Sequence, residues 1–255
     1  MRKLLAVCNY TLRENIRGKI FYVILLFALV VIASSFLFSK VSGEVEERVI
    51  VDVGLGVIEL FAFLMAIFGA VRLILQEIEN KTIYLIVSRP IHRQVYLLGR
   101  YMGMLMIVLV NILIMFGSLM LLLVLKGYSF QVIYIEAIGL VFAKIVIITA
   151  VGILVSLLST SAMTSITATF FIWILGHISQ EIKFLSEKLT NVFTKAAVTV
   201  AYYMIPHFEY FNLKDYINVP GSVYTANMLW MIAYCIIYSG TVTLLSMYLL
   251  SRREF

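Results

Sequence analysis

Glu59, Glu136 and Lys144 lie inside long apolar runs of this sequence. A charged side chain at mid-bilayer costs about 3 kcal/mol on insertion scales unless it is paired or wetted. Such groups form either a polar surface along which a solute moves or an ion pair that holds helices together, and Lys144 also has the length to snorkel. A second group lies in QEIENKTIYLIVSRPIHRQVYLLGR, Gln76 to Arg100, where acids, cations and one proline separate two apolar blocks. Thr82 to Val87 have room for one or two helical turns, and Pro90 disfavours helix at Arg89, so the chain turns there. The segment IHRQVYLLGRYMG then restarts as helix, with Arg89, His92 and Arg93 offered to solvent. A short helix and corner between two spans can receive force from a soluble partner. The same residues also suit a plain basic loop.

Catalytic and cofactor patterns do not occur. The sequence has no G-x-x-x-x-G-K-[ST] for a nucleotide, no H-E-x-x-H and no G-x-S-x-G, and it lacks the paired aspartates of alcohol phosphotransferases. GEVEERV fails the E-E-x-x-x-R of intramembrane prenyl-protein proteases. Cys8 and Cys235 make no metal-ligand spacing, and His177, His207 and the twelve methionines are not clustered as a copper path needs. No metal or cofactor is expected in this chain.

The elements that must position these residues follow from composition. With 62% apolar residues and 13% charged, the chain departs from soluble proteins, whose charged share is about 25%. A hydrocarbon core of ~30 Å needs ~20 apolar residues of helix. Six stretches meet that test: Ile20 to Phe38, Val53 to Leu75, Tyr101 to Leu125, Val132 to Leu158, Ala162 to Ser179 and Leu229 to Leu250. Backbone groups in lipid must be satisfied within each segment, so the expected fold is an all-α integral membrane domain over residues 1–255. Residues 1–19, with Leu4, Leu5, Cys8, Leu12 and Ile16 at helical spacing, read as an interfacial elbow helix. Residues 180–228 contain a second stripe, Phe184, Leu185, Leu189, Val192, Phe193 and Ala196, which reads as an outer amphipathic or re-entrant helix ended by Pro206. Gly99 and Gly103 suit close helix packing at the start of the third span.

Lys and Arg set the orientation. Arg2, Lys3, Arg13, Arg17 and Lys19, then Arg72, Lys81, Arg89, Arg93 and Arg100, then Arg252 and Arg253 fall on one side, which the positive-inside rule makes cytoplasmic together with both termini. The opposite loop KVSGEVEERVIVD carries Glu44, Glu46, Glu47 and Asp52 against Lys40 and Arg48. The net charge of +6 is thereby matched to an anionic inner leaflet, and no nucleic-acid partner is implied. A multi-pass protein of the cell (inner, cytoplasmic) membrane is expected.

In order, Glu77, Glu79, Thr82, Leu85, Ser88, Pro90, Ile91, Arg93, Leu98, Gly99 and Arg100 resemble the signature between the second and third spans of ABC-2 type transporter permeases. The sequence departs from that pattern at Ile78, where Arg is common, and at Lys81, where Gly is usual. Pro206, Phe208, Phe211 and Asn212 resemble a segment of a mixed subgroup that includes the copper-maturation permease for nitrous-oxide reductase. The resemblance implies a half-transporter that pairs with a second copy or a related permease and docks two copies of a separate ATPase subunit, which would bind ATP and Mg. It also implies that Glu77, Glu79, Thr82, Leu85, Ser88, Pro90, Arg93, Gly99 and Arg100 belong to an ATPase-coupling element, and that an unidentified substrate is exported along a surface for which Glu59, Glu136 and Lys144 are candidates. A secondary transporter or a membrane enzyme without an ATPase is the alternative; a secondary transporter usually shows doubled spans or helices broken at midplane.

Overall fold

The computed structural model describes residues 7–8, 11, 26–27, 30, 43–79, 93–188, 191–212 and 223–252. Among them there is no strand: the chain forms α1 (Gly43–Glu79), α2 (Arg93–Leu125), α3 (Ile133–Leu158), α4 (Ala162–His177), α5 (Ser179–Lys188), α6 (Val192–Met204), a 3-10 turn (Phe208–Phe211) and α7 (Val223–Arg252). Four of these are long and apolar enough to cross a membrane, Glu46–Arg72, Gln94–Leu125, Ile133–Leu158 and Met228–Arg252, and α4 with α5 makes a fifth if the bent pair counts as one. The protein is all-helical with four to five candidate spans. The expected first span lies almost wholly outside the described residues, though Phe27 is helical, fully buried and edge-on to Phe61 at 6.4 Å. The corner with Thr82, Leu85, Ser88 and Pro90 lies outside them too.

α3 is the central helix. It packs on α1, α2, α4 and α7 and against the 3-10 turn, and it buries residues all round its circumference, from Tyr134 to Leu157. A helix apolar on every side has this place in a bundle. α1, α2 and α3 alternate in direction. The turn between α2 and α3 is closed by Gly127 at φ +86°, with the Tyr128 N–H bonded to the Leu123 carbonyl at 3.0 Å and the Gly127 N–H to that of Val124 at 3.0 Å. A left-handed residue past a helix end is most easily glycine.

Three boundaries differ from expectation. The acidic stretch read as a loop before Val53 is the first part of α1, which begins at Gly43. Its acids suit the positive end of a helix, and Glu46 and Glu47 are held from the neighbouring helices: Lys126 Nζ donates to Glu46, Tyr128 to Glu46 at 3.2 Å and Tyr134 to Glu47 at 2.7 Å. The fifth span is not one straight helix to Ser179; α4 stops at His177 and the chain bends by 70° into α5. The stripe from Phe184 to Ala196 is split between α5 and α6, because the Asn191 side chain accepts the Phe193 N–H at 3.1 Å and starts a new helix there. α6 ends at Met204, just before Pro206, as the proline requires.

Candidate functional site

Glu59 is the central residue of the candidate span Glu46–Arg72, deeper than its place in the first third of Val53 to Leu75 suggested. Lys144 lies near the middle of α3. Their side chains meet: Lys144 Nζ donates to Glu59 Oε1 at 2.8 Å, and the two are 3% and 6% exposed. His177, the last residue of α4, brings Nε2 to 2.9 Å from the same oxygen. At 1.5 Å per residue, α4 climbs about as far from its start as α3 descends from Lys144 to its end. α4 therefore stops at the level of the ion pair, and the bend into α5 occurs there.

The chain after α6 returns to that level. Gly176 admits it: a Cβ at that position would lie 2.5 Å from Phe208 Cδ2 and 2.7 Å from the Pro206 carbonyl oxygen. Phe208 and Phe211 are buried, and Phe211 and Asn212 line a cavity of about 10 Å³ with Leu55, Glu59, Ala137, Val141 and Lys144. That is room for about one water. Trp173 stacks on Phe63 at 4.4 Å and touches the His177 ring at 4.5 Å, while Phe208 lies 5.3 Å from it on the other flank.

Around the bend, three buried polar atoms have no hydrogen-bond partner among the described residues: Trp173 Nε1, Ser179 Oγ and Glu209 Oε2. Native proteins leave few such atoms, and those they leave mark water or function. Glu209 Oε1 accepts the Gln180 N–H at 3.4 Å. Burial pushes the Glu209 carboxyl above the usual carboxylate range, and the neighbouring Glu181 pushes it further, against the pull of the Gln180 N–H and of His177. His207, buried among Tyr202, Tyr210 and Tyr234, is shifted down by the same desolvation.

The remaining expected residues are placed elsewhere. Glu136, half-buried, sits in the first turn of α3, two turns from Lys144, and is not brought to the pair. Glu77 and Glu79 fall in the last turn of α1, and Arg93 opens α2. Gly99 is buried, and so is Arg100, whose Nη1 donates to Thr11 Oγ1 at 3.2 Å and whose Nε donates to the Tyr96 hydroxyl at 2.9 Å. Arg100 thus ties residue 11 to α2 from a buried position. Gly103 is its counterpart: a Cβ there would stand 2.7 Å from Thr11 Cβ and 3.2 Å from the Cys8 carbonyl oxygen, so close packing at Gly103 is present and its partner is the N-terminal segment. His177, Glu209 and Asn212 were not foreseen in this site. The signal for His177 was its position at the end of an apolar run.

Among the described residues no group of His, Cys, Asp and Glu could hold a metal ion. Comparison with protein-family models and with the curated proteins finds no match for this sequence.

Proposed function

We propose that this chain is the membrane subunit of an ABC-2 type exporter, with six spans, an N-terminal elbow helix, both termini cytoplasmic and a cytoplasmic coupling corner between α1 and α2. The observation that carries the reading is the ordered run from Glu77 to Arg100, set between two long helices that pack on each other. ATP and Mg would be bound by two copies of a separate ATPase, and the permease would pair with a second copy. Closure of the ATPases on nucleotide would press on the corner and tilt α1 and α2. The shift available is limited to the difference in nucleotide affinity between the open and closed ATPase pair. Co-expression with a candidate ATPase subunit from the same genome tests the reading: a complex with two copies of each chain and ATPase activity absent from the permease alone is expected, and a monomer that transports unaided refutes it.

One observation favours an ion-coupled transporter instead. A helix that ends midway through the bundle beside an ionisable cluster is the arrangement such proteins use. Transport driven by an imposed ion gradient, with no nucleotide present, is the result that would select that reading.

A further inference from the structure

Both nitrogens of the His177 ring face acceptors. Nε2 is 2.9 Å from Glu59 Oε1, and Nδ1 is 3.0 Å from the Trp173 carbonyl oxygen. A carbonyl oxygen only accepts, so Nδ1 carries a hydrogen; an ionised carboxylate only accepts, so Nε2 needs one too. A neutral imidazole has a single N–H. The geometry therefore requires one proton beyond neutral imidazole and ionised Glu59, either on the ring or on the carboxyl group. We infer that the Glu59–His177 pair is a proton-binding site inside the bundle, filled from the face that carries Glu46 and Lys126 by way of Glu181 and Glu209. This does not rest on the ATPase reading; it needs only the membrane-spanning arrangement.

The path is built of groups already named. α5, SQEIKFLSEK, exposes Glu181, Lys183 and Lys188, which cannot rest in hydrocarbon. It starts two residues after His177, on the side to which α4 points, and the His177 side chain is itself 31% exposed. Glu209 accepts the Gln180 N–H at 3.4 Å and follows Phe208, whose ring is 5.3 Å from that of His177; it feels the charges of both Glu181 and His177, and its Oε2 is buried with no hydrogen-bond partner among the described residues. Its protonated form gives that oxygen or its twin a hydrogen to donate. A proton taken from water by the Glu181–Glu209 carboxyl pair passes to the ring, leaving a carboxylate beside an imidazolium, so the step moves no net charge out of the cluster. Lys144 bonds the same Glu59 oxygen as His177, and beyond it lies the cavity lined by Asn212.

Among the described residues, the charged and titratable groups in this cluster are Glu59 of α1, which bonds the ring, Lys144 of α3, which bonds the same Glu59 oxygen, and Glu209 of the 3-10 turn, which feels the charges of His177 and of Glu181 on α5. α7 and α6 contribute Tyr234 and Tyr202 around the neighbouring His207. α2 has no charged residue from Tyr101 to Leu125.

Trp173 reports on the site, because its ring lies 4.5 Å from His177 and a neighbouring imidazolium quenches indole emission. The full chain carrying Trp230→Phe, so that Trp173 is the remaining tryptophan, is reconstituted in vesicles of defined orientation. The pH on each side is then varied separately. Loss of Trp173 emission is expected when the Glu46 face is acidified and not when the other face is. Glu209→Gln should move the loss to lower pH or slow it, and His177→Gln should abolish it. Should His177→Gln fail to fold, Glu181→Gln combined with Glu209→Gln keeps the test in force. Emission that ignores pH, responds only to the opposite face, or is indifferent to both carboxyl variants overturns the inference.

Discussion

Replacing Glu59 by glutamine removes the carboxylate on which Lys144 and His177 converge, and leaves an ammonium group 3% exposed without it. Removing one member of a buried pair typically costs about 3–5 kcal/mol, because the other charge stays desolvated. In a chain of this size each kcal/mol moves Tm by about 2–4 °C, so Glu59→Gln should melt about 6–20 °C below the parent. Lys144→Met is milder: the carboxylate keeps His177 at 2.9 Å, and the loss belongs at the low end, about 3 kcal/mol. Glu59→Met with Lys144→Met removes both charges and fills the space with apolar side chains, which is often neutral or even stabilising. The double variant should therefore melt within a few degrees of the parent, so that its loss falls short of the sum of the two single losses by about 5 kcal/mol or more.

The assay is thermal unfolding of the full chain in detergent, followed by intrinsic fluorescence and by loss of the monodisperse peak. Additive losses, with the double variant worse than either single one, would refute the burial argument. A Glu59→Gln loss under about 1 kcal/mol would mean that the pair behaves like an exposed one. If the chain is the proposed transport subunit and the double variant folds, its activity separates the two roles that the sequence left open: activity retained assigns the charges to assembly, and activity lost assigns them to the pathway.

A cysteine placed at Glu46 or Lys188 in a cysteine-free background should react with an impermeant thiol reagent in intact cells, and one at His92 should not; labelling of His92 from outside would reverse the orientation. Gly103→Ala should destabilise by about 1–3 kcal/mol through contact with Thr11 and the Cys8 carbonyl, whereas Gly117→Ala, with nothing within 4 Å of the new Cβ, should change melting by less than about 0.5 kcal/mol. Because the Glu209 carboxyl is shifted upward, the folded state binds its proton more tightly than the unfolded chain does. Stability is then lost as pH rises from the ordinary carboxylate range through the folded value. Glu209→Gln should remove that loss, so the variant gains on the parent at pH 8 and the gain vanishes in acid, as melting curves across pH will show. If the chain is the proposed ABC-2 subunit, Arg93→Glu should lose the partner ATPase on pulldown, a contact worth about a few kcal/mol where charges pair. Pro90→Ala should then keep the ATPase bound and hydrolysing while transport falls, and changes at Lys126, paired with Glu46 at the other end, should do neither.

How much of this was legible depends on what kind of signal each feature leaves. Apolar runs of span length are local, and α2, α3 and α7 lie where the runs are. The start of α1 was missed because Glu44, Glu46 and Glu47 look like a solvated loop until Lys126, Tyr128 and Tyr134 come from other helices to hold them. The pairing of Glu59 with Lys144 was open in sequence, since a lone acid and a lone base in separate spans carry no distance information. His177 joined them only because α4 is short. Its shortness is written in Ser179–Lys188, where Glu181, Lys183 and Lys188 make a helix too polar to continue a span; read as part of an amphipathic stripe, those residues gave no hint that the break falls deep in the bundle.

A helix that ends inside a bundle exposes carbonyl and amide groups with no water to satisfy them, so their partners show what the local side chains are for. The Trp173 carbonyl receives His177 Nδ1, and the Ile174 carbonyl receives the Ile178 N–H at 3.3 Å. The Gln180 N–H goes to Glu209. At the returning strand of chain, the Met204 carbonyl receives the Tyr238 hydroxyl at 2.8 Å, and the His207 N–H goes to the Tyr234 hydroxyl at 3.1 Å. Tyr234 and Tyr238 are thereby accounted for as caps of irregular backbone, and Glu209 partly so. Glu59 and Lys144 bond to each other and, for Glu59, to a ring whose second nitrogen does the capping. A buried ion pair is weak evidence for stability, since apolar residues of the same volume often serve as well. Its position beside orphaned polar atoms and a water-sized cavity is the reason to look for function at this level of the bundle, rather than only at the corner between α1 and α2.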